Sequence, residues 1–211
     1  MCLKGIIFDL DGVLVDAREW HYQALNRALG VFAFEITRSE HDNFYNGLPT
    51  WFKLRHLSEK KGFPVGLQEI VSALKKKETE RVIRELCVEN HELRAKLLTY
   101  KEAGFRLAVA SNAIRSSVQL MLAKTGILDL FDFFLGNEDV INPKPNPEIY
   151  WKAIERMGLV PDEVLIVEDS PHGCQAALDS GAKVCRVEFS RDLVRPLDGD
   201  KTILDLFLEE E

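Results

Sequence analysis

The residues with the most chemical content stand near the start of the chain, in Lys4-Gly5-Ile6-Ile7-Phe8-Asp9-Leu10-Asp11-Gly12-Val13. An apolar run with strand character ends in two aspartates spaced i, i+2, and a glycine follows at once. On an extended backbone that spacing turns both carboxylates to one side. Two acids so close repel unless a cation lies beside them or one is protonated. Asp9 and Asp11 therefore suit nucleophilic and acid/base chemistry on a phosphoryl group held by Mg²⁺. The same residues also fit a plain turn after a strand, so the rest of the chain must decide.

Three further groups bear on that choice. Ser111 and Asn112 follow an apolar run, where a hydroxyl and a backbone N–H at a helix start can hold a phosphate oxygen. Alone, the pair reads as no more than a helix N-cap. In Asn142-Pro143-Lys144-Pro145-Asn146-Pro147-Glu148, three prolines stiffen a loop and present one lysine ahead of a helix. Such a lysine can balance both a nucleophilic carboxylate and phosphoryl oxygens. Glu168-Asp169-Ser170 closes another apolar run and supplies hard oxygen ligands suited to Mg²⁺.

The elements that would position these groups are legible in outline. Leu3–Phe8, Arg106–Ala110, Val164–Val167 and Lys183–Val187 have strand character, with helical patterns such as Glu92–Ala103 and Ile114–Thr125 between them. Alternation of strand and helix predicts an α/β fold, a Rossmann-like parallel sheet covered on both faces. Ligands then bind beyond the carboxyl ends of the strands, where every polar motif falls. About ninety residues separate the first two strands, far more than a crossover needs. Most of them are helix-like. Trp20, Ala24 and Ala28 share one face, and Val71, Leu74, Val82 and Leu86 follow helical spacing. Gly47-Leu48-Pro49-Thr50 and Gly62-Phe63-Pro64 read as breaks between helices. The expected division is a catalytic core of residues 1–15 and 89–211, with residues 16–88 as an all-helical cap. The cap is mildly basic and the remainder acidic, which favours an anionic substrate. Lys75-Lys76-Lys77 itself reads as a solvated helix face.

Composition narrows the function classes. The chain has 211 residues, 46% of them hydrophobic and 29% charged, with a net charge of −7. No broad basic stripe is present, which argues against a nucleic-acid partner. The longest apolar runs are too short for a membrane span, and no leader pattern opens the chain, so a cytoplasmic protein without membrane attachment is expected. Cys2, Cys87, Cys174 and Cys185 are scattered without a CxxC pair and read as reduced, structural thiols.

Taken in order, Asp9-Leu10-Asp11-Gly12, Ser111, Lys144 and Glu168-Asp169 resemble the four motifs of the haloacid-dehalogenase superfamily, in its β-phosphoglucomutase and phosphoglycolate phosphatase branch. The resemblance covers nearly the whole chain. It implies that Asp9 is the nucleophile and forms an aspartyl-phosphate. Asp11 would protonate the leaving oxygen and then activate water. Ser111 and Lys144 would hold the phosphoryl group, Lys144 also orienting Asp9. Mg²⁺ would be bound by Asp9, the backbone carbonyl of Asp11 and Asp169, with Glu168 contributing directly or through water. Dehalogenases of the superfamily use another residue at the position of Asp11 and need no metal, so dehalogenation is disfavoured.

The resemblance implies a Mg²⁺-dependent phosphatase acting on a small phosphorylated metabolite, a sugar phosphate or similar monoester, as a monomer or weak dimer. A sugar-phosphate mutase of the β-phosphoglucomutase type is the alternative, and a non-catalytic interaction protein on the same fold is a third reading. Asp16, Glu19 and His21 resemble the mutase hinge. His21 either tunes Asp11 or sits in a hinge helix. Those mutases carry an arginine shortly after the cap glycine to grip a second phosphate, whereas here Gly47 is followed at the matching position by Thr50. Lys53 and Arg55 come later on the helix and are expected to point elsewhere. Trp51 either stacks on a substrate ring or packs in the cap.

Overall fold

The computed structural model describes residues 2–195 together with 201, 202, 204, 205 and 208. Met1 and, from the expected core segment, residues 196–200, 203, 206, 207 and 209–211 lie outside the described residues. Five strands, β1 (Gly5–Phe8), β2 (Arg106–Ala110), β3 (Phe133–Leu135), β4 (Val164–Glu168) and β5 (Lys183–Arg186), form one parallel sheet. Their order is β3-β2-β1-β4-β5, so β1 is central, and Phe8 lies level with Val109 on one side and Val167 on the other. The fold is α/β and Rossmann-like, as the alternation predicts.

Side-chain alternation divides the sheet between two cores. Ile6, Phe8, Val109 and Val167 face one side with α5 (His91–Glu102) and α6 (Arg115–Thr125). Ile7, Ala108 and Ile166 face the other with α7 (Glu148–Met157) and α8 (Pro171–Asp179). Strands covered on both faces read as continuous apolar runs, which is why β1, β2 and β4 stand out in the sequence. Sequence reading missed β3. Its three residues form a short strand beside β2 at the edge of the sheet, below the length at which an apolar run is distinguishable from a loop.

The helical insertion between β1 and β2 comprises α1 (Arg18–Gly30), α2 (Arg38–Glu40) running into a π-helical turn, α3 (Thr50–Lys61) and α4 (Gln68–Leu86). Leu25, Leu29, Leu54, Leu57, Phe63 and Val71 give it a buried cluster of its own. The breaks fall at the two glycine–proline segments expected. Leu86 departs from its expected buried face: it is the last residue of α4 and exposed, while Ile83 and Cys87 turn into the main core instead.

Candidate active site

Asp9 continues the line of β1, its N–H donating to Val167 O at 2.9 Å. Its carboxylate therefore emerges at the carboxyl end of the central strand. Leu10 turns into the core and Asp11 returns to the pocket side. Gly12 follows with φ 95°, and a Cβ there would overlap the Asp169 carboxylate. Glycine is thus required twice over, by backbone conformation and by the close approach.

Lys144 reaches this corner from the proline-stiffened loop. Its buried ammonium donates to Asp9 Oδ1 at 2.8 Å, Glu168 Oε1 at 2.7 Å and Ala110 O at 2.8 Å. Glu168, at the end of β4, is fully buried and both its oxygens are engaged. Oε1 also accepts from Tyr150 Oη at 2.6 Å, and Oε2 accepts from Asp169 N at 3.1 Å and from Ser170 N and Oγ at 3.3 Å each. Ser170 Oγ in turn accepts from Gly173 N at 3.0 Å and caps α8. Ser111 follows β2, and its buried Oγ accepts from Ala113 N at 3.0 Å, leaving its O–H free to donate.

Charge in this corner is unbalanced. Burial raises the Asp9 carboxyl well above the usual carboxylate range, Lys144 opposing and Glu168, Asp169 and Asp11 reinforcing it. Burial, then Glu168, pushes Asp169 up to about 7, although the Arg18 guanidinium lies 3.9 Å away. Asp169 Oδ1 is buried without a hydrogen-bond partner. Asp9, Glu168 and Asp169 each offer a carboxylate oxygen, all within 4.8 Å of one another. Hard oxygen donors with too few cations fit a divalent metal such as Mg²⁺.

Asp11 sits in a different field. Burial pushes its carboxyl up, but His21 and the Lys75 and Lys53 ammonium groups more than offset this and hold it below its ordinary value. His21 Nε2 lies 3.1 Å from Asp11 Oδ2, and Lys75 Nζ lies 3.4 Å from His21 Nδ1. Burial, opposed by Asp11 and reinforced by Lys75, lowers the imidazole below its ordinary range. A neutral ring donating from Nε2 to Asp11 and accepting at Nδ1 from Lys75 satisfies all three groups. Asp11 Oδ1 is buried and unpartnered.

A cavity of about 400 Å³ joins the floor to the helical insertion, and the expected catalytic, metal-binding and substrate-binding residues line it, all but the fully enclosed Glu168, whereas Asp16 and Glu19 of the expected hinge do not. Gly47 (φ 75°), Thr50 and Trp51 form its rim, and Trp51 is 47% exposed with its ring edge-on to Phe52. Asn112 docks the rim on the core. Its Nδ2 donates to Gly47 O at 2.9 Å and Lys144 O at 3.3 Å, and its Oδ1 accepts from Lys144 N at 3.1 Å.

Two lysines correct the sequence reading. Lys53 does not point elsewhere: it is 5% exposed and lines the cavity, whereas Arg55 is exposed and paired with Glu59 at 3.3 Å. Thr50 and Lys53 are spaced i, i+3 and share one helix face, a signal present in the sequence. Lys75 is half-buried and lines the cavity, whereas Lys76, at the cavity's edge, and Lys77 are exposed on the solvated face. Tyr150 and Ser117 were also missed. Each is an apolar-face position of a core helix, marked by nothing but its helical spacing from buried neighbours.

No helix among the described residues is long and apolar enough to cross a membrane. Residues 6–187 match the family described as haloacid dehalogenase-like hydrolase. The chain is 29% identical to the phosphorylated carbohydrates phosphatase of Thermotoga maritima, the alignment covering 96% of this chain and 91% of that one. It is 28% identical to pyrophosphatase PpaX of Bacillus velezensis, over 89% and 84% of the two chains. Among solved structures, β-phosphoglucomutase of Clostridium difficile superposes with a TM-score of 0.79 at 19% identity, over 89% of this chain and 92% of that one, a likeness of fold.

Proposed function

Because the chain belongs to the haloacid dehalogenase-like hydrolase family, we propose that this pocket hydrolyses a small phosphorylated metabolite, a sugar phosphate or similar monoester, through a phosphorylated Asp9. The chain is a hydrolase of phosphoric esters, in line with relatives named as phosphatase and pyrophosphatase. One observation carries the finer reading: the buried Lys144 ammonium holds Asp9 Oδ1 at 2.8 Å at the mouth of the central strand, beside an excess of carboxylates. Residues 1–15 and 89–211 then act as the catalytic core and residues 16–88 as its cap. All four cysteines are free thiols, which supports a reducing, cytoplasmic setting.

Asp9, Asp169 and the backbone carbonyl of Asp11 would hold Mg²⁺, which when bound offsets negative charge on the phosphoryl oxygens. Glu168, with both oxygens engaged, would reach it only through water and serves chiefly to fix Lys144. Asp9 attacks phosphorus as the ester P–O bond breaks, and Asp11, a carboxylate in the free site, takes up a proton through the Lys75–His21 chain and passes it to the leaving oxygen. The Ser111 hydroxyl and Lys144 ammonium donate to the transferring oxygens. Asp11 then takes a proton from the water that attacks the phosphorus of the aspartyl-phosphate, and Asp9 is freed. The Lys75–His21–Asp11 chain holds Asp11 Oδ2, so that Oδ1 faces the reacting group.

A mutase remains the second reading, because Lys53 brings to the cavity a cation that Thr50 does not. Release of inorganic phosphate from p-nitrophenyl phosphate, with and without Mg²⁺, tests the hydrolase. Metal-dependent release is expected, and its absence in folded protein would favour the non-catalytic reading. Conversion of β-glucose 1-phosphate to the 6-phosphate without net phosphate release would favour the mutase.

A further inference from the structure

One side chain ties the rim of the cavity to the lysine that holds Asp9. Asn112 Nδ2 donates to Gly47 O of the rim at 2.9 Å and to Lys144 O at 3.3 Å, so both of its hydrogens are committed. Its Oδ1 accepts from Lys144 N at 3.1 Å. The carboxamide therefore brackets the Lys144 main chain at two points, much as a neighbouring strand would. The Lys144 ammonium in turn meets Asp9 Oδ1, Glu168 Oε1 and Ala110 O at 2.7–2.8 Å.

The rim has little else to hold it. Among the described residues, Asn112–Gly47 is the only hydrogen bond that joins residues 46–51 to the core. Gly47 also sits against Ser170, since a Cβ on it would lie 3.4 Å from Ser170 Oγ, the atom that caps α8. The far end of the insertion is fixed differently, by Ile83 and Cys87 buried in the main core. A single exposed hydrogen bond shifts an equilibrium by roughly three- to tenfold, enough to favour a seated rim and too little to prevent its release. We propose that Asn112 is a positioning residue that couples seating of the rim to placement of Lys144. With Gly47 seated, the carboxamide is fixed in the orientation that holds Lys144 against Asp9, and with the rim lifted that hold is released. The inference rests on the hydrolase reading of Asp9 and Lys144, and it gives the Asn112 side chain to the loop rather than to the substrate.

Hydrogen–deuterium exchange of the whole free chain reads the coupling without activity. Asn112→Ala removes every contact, whereas Asn112→Asp keeps an oxygen for Lys144 N and turns another against the Gly47 and Lys144 carbonyls. In both variants, amides of residues 46–51 and 142–146 should exchange roughly three- to tenfold faster, with the sheet unchanged. Should Asn112→Ala fail to fold, the isosteric Asn112→Asp carries both readouts. With p-nitrophenyl phosphate, kcat should fall roughly ten- to hundredfold, because a displaced Lys144 donates poorly to the transferring oxygens, and KM should stay within about twofold. If wild type hydrolyses no ester while exchange rises jointly at rim and loop, the hydrolase reading fails and the coupling stands. A raised KM with retained kcat would make the side chain a substrate contact and overturn the proposal. Wild-type kcat in Asn112→Asp, or unchanged exchange at the rim in the folded variants, would overturn it equally.

Discussion

Replacing Lys53 by methionine removes a charge the folded protein holds at its own expense. Burial, then Lys75, pushes the Lys53 ammonium down to about 7 from 10.5, with Asp11 only partly opposing. At 1.36 kcal/mol per unit, that difference of roughly 3.5 units corresponds to about 5 kcal/mol. The sign follows from the lowered folded-state value. Below about pH 7 the lysine is charged both folded and unfolded, and the whole penalty is present. Between pH 7 and 10.5 the folded state sheds the proton first, the penalty shrinks, and above 10.5 it is gone. Methionine has similar length and no charge, so Lys53→Met should gain about 3–5 kcal/mol at pH 6 and close to nothing near pH 10. Urea unfolding of both proteins at pH 6, 7, 8.5 and 10 reads this as a midpoint difference that narrows with pH. A gain independent of pH, or a loss at pH 6, would refute the reasoning, because it would mean that Lys53 is hydrated or paired.

Other consequences are as direct. Asp11→Asn removes the proposed proton donor and leaves Asp9 in place. With p-nitrophenyl phosphate, whose leaving group needs little protonation, phosphorylation should survive better than dephosphorylation, and phosphorylated Asp9 should accumulate in mass spectra. Equal loss of both steps would place Asp11 in the metal site or the fold instead. Tyr150→Phe deletes the 2.6 Å hydrogen bond to buried Glu168 and should cost about 1.5–3 kcal/mol, read as a lower urea midpoint. An unchanged midpoint would show that Lys144 alone suffices for Glu168. Thr50→Ala or Trp51→Ala, on the rim, should lower kcat/KM for the best natural ester about tenfold or more and change p-nitrophenyl phosphate hydrolysis far less. Equal losses on both would make the rim a support for cap folding.

The floor of the site was legible because each of its parts sits at a strand end with strong local punctuation. Asp9 and Asp11 precede a glycine, Lys144 lies among three prolines, and Glu168-Asp169 closes a fully apolar run. The cap wall was not legible for a different reason. A lysine on a helix reads as solvated unless its face is known, and the face of Lys53 is set by how α3 lies over the core. Lys75 hides in a lysine triplet of which only part is exposed. Tyr150 looked like core packing, which it is, and its hydroxyl acquires meaning only when α7 packs across β1 and β2 and brings it to Glu168 at the end of β4. The strand β3 fell below the length at which periodicity speaks.

In the proposed reaction Asp9 carries the phosphoryl group between substrate and water. Acid quench during Mg²⁺-supported turnover, followed by borohydride, reduces an aspartyl-phosphate to homoserine, which peptide mass spectrometry locates. Homoserine at position 9, dependent on substrate and Mg²⁺ and lost in Asp9→Asn together with turnover by several orders of magnitude, is the predicted result. Rapid hydrolysis with Asp9 unmodified at every quench time, and retained in Asp9→Asn, would contradict it.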